Sequence, residues 1–86
     1  MRISIRPHDS GYLLWRQMLA AGNTASVKFN GVPQYECVMA DSEAGTIARL
    51  ARDADGKLKW DFDRQCFSDE ILHGHVEIDV HEKQVL

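Results

Sequence analysis

The stretch Asp53-Ala54-Asp55-Gly56-Lys57-Leu58-Lys59-Trp60-Asp61-Phe62 decides how this chain is read. It opens on a glycine turn, after which Leu58, Trp60 and Phe62 alternate with Lys57, Lys59 and Asp61, the period-two pattern of a half-buried strand. The length of the turn sets the pairing with the preceding run, Thr46 to Arg52. A two-residue loop at Asp55-Gly56 sets Leu58, Trp60 and Phe62 against Asp53, Ala51 and Arg49, which places charge opposite the apolar row. A loop one residue longer, with Gly56 left-handed in a G1 bulge, pairs Trp60 with Leu50, Phe62 with Ala48, and Arg49 with Asp61. The longer loop is therefore expected, because a slip of one residue exchanges the two faces of the strand. The same residues resemble the start of an EF-hand loop, but aligning the glycine puts Ala51 at the first ligand position and Phe62 where a bidentate glutamate is required. A hairpin turn accounts for them without a ligand.

Working outward, the neighbouring segments carry the same period. Val27 and Phe29 lead into Asn30-Gly31, a strong two-residue hairpin signal, and Tyr35, Cys37 and Met39 resume the alternation. Pro33 falls at the start of the second strand, where a missing donor is tolerated. Asp41-Ser42-Glu43-Ala44-Gly45 reads as a connecting turn or a single helical turn before the run from Thr46 to Arg52. Near the N-terminus, Met1 to Arg6 alternates as a short strand before Pro7. Asp9 or Ser10 then offers an N-cap for a helix from about Ser10 to Ala21, with Leu14, Trp15, Met18 and Leu19 at helical spacing and Gly22-Asn23 as its stop. Its Trp15 and Met18 stripe is expected to dock on a sheet, with Arg16 and Gln17 in water. The last strand sets Val76, Ile78 and Val80 on one face and His75, Glu77, Asp79 and His81 on the other. The expected fold is a single α+β domain over residues 1–86: one amphipathic helix on a curved antiparallel sheet of five or six short strands, which could close as a small barrel.

Composition bounds the function. With 86 residues, 44% hydrophobic and 27% charged, the chain has material for one core and little surplus to support a deep catalytic cavity. Small binding modules fit that constraint better than enzymes. The net charge is −3 with ten basic residues spread thinly, so no basic stripe matches a row of phosphates and nucleic-acid binding is disfavoured. No apolar run approaches the roughly twenty residues that a bilayer requires, so no membrane partner is expected. The N-terminal segment has no secretory h-region, which favours a cytosolic setting with Cys37 and Cys66 as thiols.

Candidate chemistry is sparse. His75, Glu77, Asp79 and His81 offer nitrogen and oxygen ligands of the kind that zinc, nickel or manganese accepts, and His73 joins them if the strand starts that early. Residues two apart on a strand lie about 6 to 7 Å from each other, so only neighbours could share an ion. A solvated polar face explains the pattern more simply, and His73, His75 and His81 are weak metal candidates. Cys37 and Cys66 lack the paired spacing of a zinc site and read as soft hydrophobes. A nucleophilic pair of Cys66 with His73 or His75 has no oxyanion site or orienting group beside it in the pattern. Walker, GxGxxG and GxSxG motifs are lacking, and no cofactor is expected.

Three segments carry a resemblance: VKFNGVPQYECV (27–38), ADSEAGTIARLARDADGK (40–57) and LHGHVEI (72–78). Their V-NG hairpin, ADxEAG turn, D-x-G turn and final HGxV-I strand resemble small uncharacterised proteins of tailed phages and prophages, over about two thirds of the chain. Where those proteins often have a basic residue after the final His-Gly, this chain has His75. The shared positions determine fold rather than chemistry. The resemblance implies a non-enzymatic phage accessory protein of the bacterial host cytoplasm, or of the virion, acting by protein–protein binding as a virion or assembly component. A host-directed inhibitor that blocks a bacterial protein is the alternative, and a small metal-binding enzyme a third. The partner is thus expected to be a phage or host protein, with homo-oligomerisation open through free sheet edges. The candidate contact residues are His75, Glu77, Asp79 and His81 together with the turn acids Asp41, Glu43, Asp53 and Asp55.

Overall fold

A computed structural model of the chain describes residues 1–83. Local signals in the sequence become turns directly. Asn30 and Gly31, with φ of 49° and 82°, join β2 (Asn23–Phe29) to β3 (Val32–Gln34) in a two-residue hairpin that pairs Phe29 with Val32. Asp41 closes β4 (Cys37–Asp41) by accepting the backbone N–H groups of Glu43 and Ala44 at 3.0 and 2.9 Å, and the chain returns as β5 (Thr46–Leu50). The remaining elements are β1 (Arg2–Ser4), α1 (Tyr12–Ala20), β6 (Trp60–Asp61), β7 (Cys66–Phe67), β8 (Asp69–His73) and β9 (Val76–Glu82).

Pairing is antiparallel throughout, in the orders β1-β4-β5-β8, β3-β2-β9 and β6-β7. The architecture is α+β with one helix, as expected. Among the described residues the single curved sheet of five or six strands is corrected to nine short strands in three sheets, and the four-stranded and three-stranded sheets each keep two edges, so no barrel closes there. Ile3, Ala40 and Ile47 from the four-stranded sheet meet Val27 and Val76 from the three-stranded one, and Met18 of α1 completes this core. The helix packs on β1 and β2, with Trp15 beside the core, while Leu13 and Leu14 remain exposed. On the far side of the four-stranded sheet a smaller cluster forms from Val38, Met39 and Ala48. Val38 and Met39 are both buried because a bulge between Cys37 and Met39 interrupts the expected alternation, setting Cys37 against Arg49 and Met39 against Ala48.

Ladder parity explains Pro33. Lys83 donates to the Gly22 carbonyl and Asn30 to that of His75, so odd-numbered residues of β9 and even-numbered residues of β2 face each other with their polar groups. Odd residues of β2 therefore serve β3. Pro33, opposite Lys28, turns its nitrogen to the open edge, where the lost donor costs nothing.

The helix start departs from expectation. Gly11 is the N-cap and no side chain caps the helix; Asp9, two residues earlier, accepts the Gly11 N–H at 2.8 Å and both Nε and Nη2 of Arg2 at 2.9 and 2.7 Å. The packing of β1 leaves no room for a capping side chain, since a Cβ at position 11 would lie 2.9 Å from the Arg2 carbonyl group.

The decisive turn is half as expected. Asp53 N–H donates to the Lys57 carbonyl at 2.8 Å and Gly56 N–H to that of Asp53 at 3.0 Å, with Gly56 at φ +80°. This is the three-residue loop with a left-handed glycine, and Arg52 bridges to Leu58 in the expected register. Beyond it the pairing is corrected: Leu50, Arg49 and Ala48 face Asp69, Glu70 and Ile71 of β8, while Trp60 pairs with Phe67. Ile47, fully buried, decides between the two. Extending the turn's register would set Asp63 against Ile47 and two carboxylates toward the core, whereas β8 supplies Leu72 there and still offers Glu70 to Arg49 at 2.6 Å. Ser68 marks the parting point: it accepts from Ala51, donates to Lys59, and so displaces the Lys59 strand after its single bond to Ala51.

Candidate functional site

On β9 the polar residues Glu77, Asp79 and His81 share one face, while His75 lies in the link just before the strand. Glu77, Asp79 and His81 stand opposite Lys28, Ser26 and Thr24 of β2, all outside the core. His75 Nε2 lies 3.0 Å from Glu77 Oε1, and His81 Nε2 lies 2.9 Å from Ser26 Oγ. Asp79 and Lys83 have no ion-pair partner among the described residues. His73 is not on this strand. It ends β8 in the other sheet, opposite Thr46, and among the described residues no cluster of three or more His, Cys, Asp or Glu could hold a metal ion.

The turn acids do not gather on one surface. Asp41 and Glu43 lie where the Met1 terminus, Asn30, Gly45 and the Gly74-His75 link converge: Gly74 donates to Gly45, His75 to Asn30 Oδ1, and the Met1 ammonium to Ser42. Asp53 and Asp55 lie at the other end of β5. Asp41 is held well below the usual carboxylate range, first by the Ala44 N–H and then by Arg2 at 3.4 Å; Asp53 Oδ1 is occupied by the N–H groups of Asp55 and Lys57. Both residues hold their own turns. Arg52 ties the second turn down, donating to the Gly56 carbonyl at 2.6 Å and pairing with Glu36. Cys66, on β7, is separated from His73 by the length of β8, on the order of 15 Å, so Cys66 and His73 do not pair.

Trp60 and Phe62, expected to pack inward, are the residues the pattern misplaced. Released at Ser68, they form with β7 a two-stranded arm in which the Trp60 and Phe67 rings meet edge to face at 5.2 Å. Trp60 is 45% exposed, Phe67 46% and Phe62 83%. Asp61 closes the arm's loop by accepting from Asp63 and Arg64. The signal available in the sequence was the pair of acids Asp61 and Asp63, which no buried strand opposite Ile47 could carry.

A cleft of about 140 Å³ opens between β1 and β3, lined by Ile3, Ile5, Trp15, Val27, Tyr35 and Cys37 among others. Burial pushes the Cys37 thiol up, which disfavours the thiolate and any nucleophilic role there. Among the described residues no helix is long and apolar enough to cross a membrane. Comparisons with protein-family models, curated proteins and solved structures return no match.

Proposed function

We propose that this chain is a phage or prophage accessory protein without catalysis of its own, which acts by binding another protein as a virion or assembly component. The observation that carries the reading is the arm, which holds Phe62, Trp60 and Phe67 in water on a two-stranded support. Aromatic side chains are costly to expose and are the commonest anchors at the centres of protein interfaces, where each buries a large area with few torsions to freeze. The phage setting is supported by the resemblance of the NG, ADxEAG and D-x-G turns, which the fold uses as turns. Made in the host cytoplasm, such a protein would dock its arm into a groove of a larger phage protein.

The test places a photo-crosslinking phenylalanine analogue at position 62 in cells producing phage, with a second probe at Lys28 on the polar face. Crosslinking to a capsid or tail protein from position 62, lost in a Trp60→Ser chain of unchanged Tm, is the expected result. One stoichiometric host protein on the same probe would replace assembly by host inhibition. No crosslink at position 62 would remove the arm from the binding surface.

A further inference from the structure

Among the described residues β9 is an outer edge of the three-stranded sheet. Because odd residues of β9 bond to β2, the N–H and C=O groups of Ile78, Val80 and Glu82 point away from the sheet, and no backbone partner meets them among the described residues. An edge of this length is a template for strand addition, and natural edges are usually blunted by charge, proline or a bulge. Here the charges select a register instead of blocking one. Self-pairing centred on Asp79 sets two carboxylates face to face, and centring on Ile78 sets Glu77 against Asp79. Centring on Val80 sets Asp79 against His81 and Glu77 against Lys83, each twice by symmetry.

We propose that the chain forms a two-fold dimer by antiparallel pairing of β9 with β9 of a second copy about Val80, giving a continuous sheet in the order β3-β2-β9-β9-β2-β3. The Val80 pair and the two Ile78–Glu82 pairs each exchange both main-chain hydrogen bonds. Among the described residues the one hydrogen bond to be displaced at these groups is a 3.4 Å approach of His81 Nδ1 to its neighbour's carbonyl at Glu82. Val80, 42% exposed in the single chain, meets its counterpart at the axis. Asp79 and Lys83 are unspent in the single chain and become partnered in the dimer, while His81 can donate an N–H to the carboxylate of Asp79 whether neutral or charged. β8 is the less favourable edge: both of its acids are held by arginines inside the chain, Asp69 by Arg6 at 2.6 Å and Glu70 by Arg49, whereas on β9 Glu77 meets only the exposed His75 and Asp79 has no ion-pair partner among the described residues. This goes beyond the reading of the arm, which uses the opposite end of β5 and stands or falls separately.

Sedimentation equilibrium of the full chain, over a range reaching on the order of 100 µM, tests it. A reversible dimer is expected. Val80→Pro removes the outward donor and leaves the ladder bonds to β2 in place, and it should give a monomer with the parent's circular dichroism. Asp79→Lys removes both symmetric attractions and should weaken the dimer about tenfold or more. Adding His81→Glu to that chain re-creates opposite charges in the same register and should restore the dimer to within about threefold. A monomer at every concentration, or a dimer indifferent to Val80→Pro, overturns the proposal. So does a dimer lost on Phe62→Ser, which would assign self-association to the arm; the crosslinking result is unaffected by failure of β9 pairing.

Discussion

At the scale of single residues, Gly11 and Gly56 show that the same residue type is required for different reasons. Gly56 sits at φ +80° with open space around it, so a side chain there costs only backbone strain. Gly56→Val should destabilise by about 1 kcal/mol or more. Gly11 has an unremarkable φ of −84° but no space, a Cβ lying 2.9 Å from backbone atoms of both Arg2 and Ile3. Propensity alone favours Gly11→Ser at an N-cap by a few tenths of a kcal/mol. Displacing rigid backbone costs about 1 to 3 kcal/mol, so the clash wins and the better cap should give the less stable protein. Urea unfolding of the two variants decides both points. A Gly56→Val chain as stable as the parent would remove the bulge, and a stabilised Gly11→Ser chain would mean that β1 does not lie against the helix start as described.

At the scale of elements, what could be read from sequence was what local chemistry specifies, and what could not was which strand wins a shared partner. The Asn30-Gly31 hairpin and the Asp53 to Lys57 loop follow from residues within the turn, and β9 follows from its alternation. The run Thr46-Ile47-Ala48-Arg49-Leu50 is apolar on both faces, so alternation does not say whether Ile47 or Ala48 faces the main core, and the choice of partner turns on that. The candidate site divides along the same line: the polar face of β9 was visible, while the exposure of Trp60 and Phe62 depended on the lost competition with β8. Long-range ion pairs join elements in the same unforeseen way. Arg2 links β1 to the helix start through Asp9 and to the β4–β5 turn through Asp41. The Arg2 guanidinium holds Asp9 below its ordinary value of 3.8, and Asp41 is held there first by the Ala44 N–H. A carboxylate whose pKa is depressed in the folded state stabilises above its unfolded pKa and ceases to do so as pH falls through the folded one. Stability should therefore be flat from about pH 7 to 5 and decline below about pH 4. A chain carrying Asp9→Asn and Asp41→Asn should start less stable at neutral pH and lose less on acidification. Thermal melts at neutral and acid pH check the sign, and an equal acid loss in parent and variant would assign the effect to other carboxylates.

At the scale of the whole molecule, the two thiols report on two different openings. Cys37 lies half-buried against the core between the sheets, where burial shields the sulfur in part and raises its pKa, while Cys66 is exposed on the arm. A thiol reagent attacks the thiolate of an accessible sulfur, so both effects slow Cys37. The arm rests on two two-residue strands and the Ser68 junction, whereas exposing Cys37 fully requires the core to part. At neutral pH one thiol should therefore label rapidly and the other about two orders of magnitude more slowly or less. Cys66→Ser should remove the fast phase and Cys37→Ser the slow one. Urea below the unfolding midpoint should accelerate the slow phase in step with the falling global stability, because that phase samples the cooperative opening, and leave the fast phase nearly unchanged. If Cys37 instead labels at the rate of Cys66 without denaturant, the seam between the two sheets opens independently of the fold, and the cleft beside Cys37 belongs to a mobile surface and not to the edge of the core.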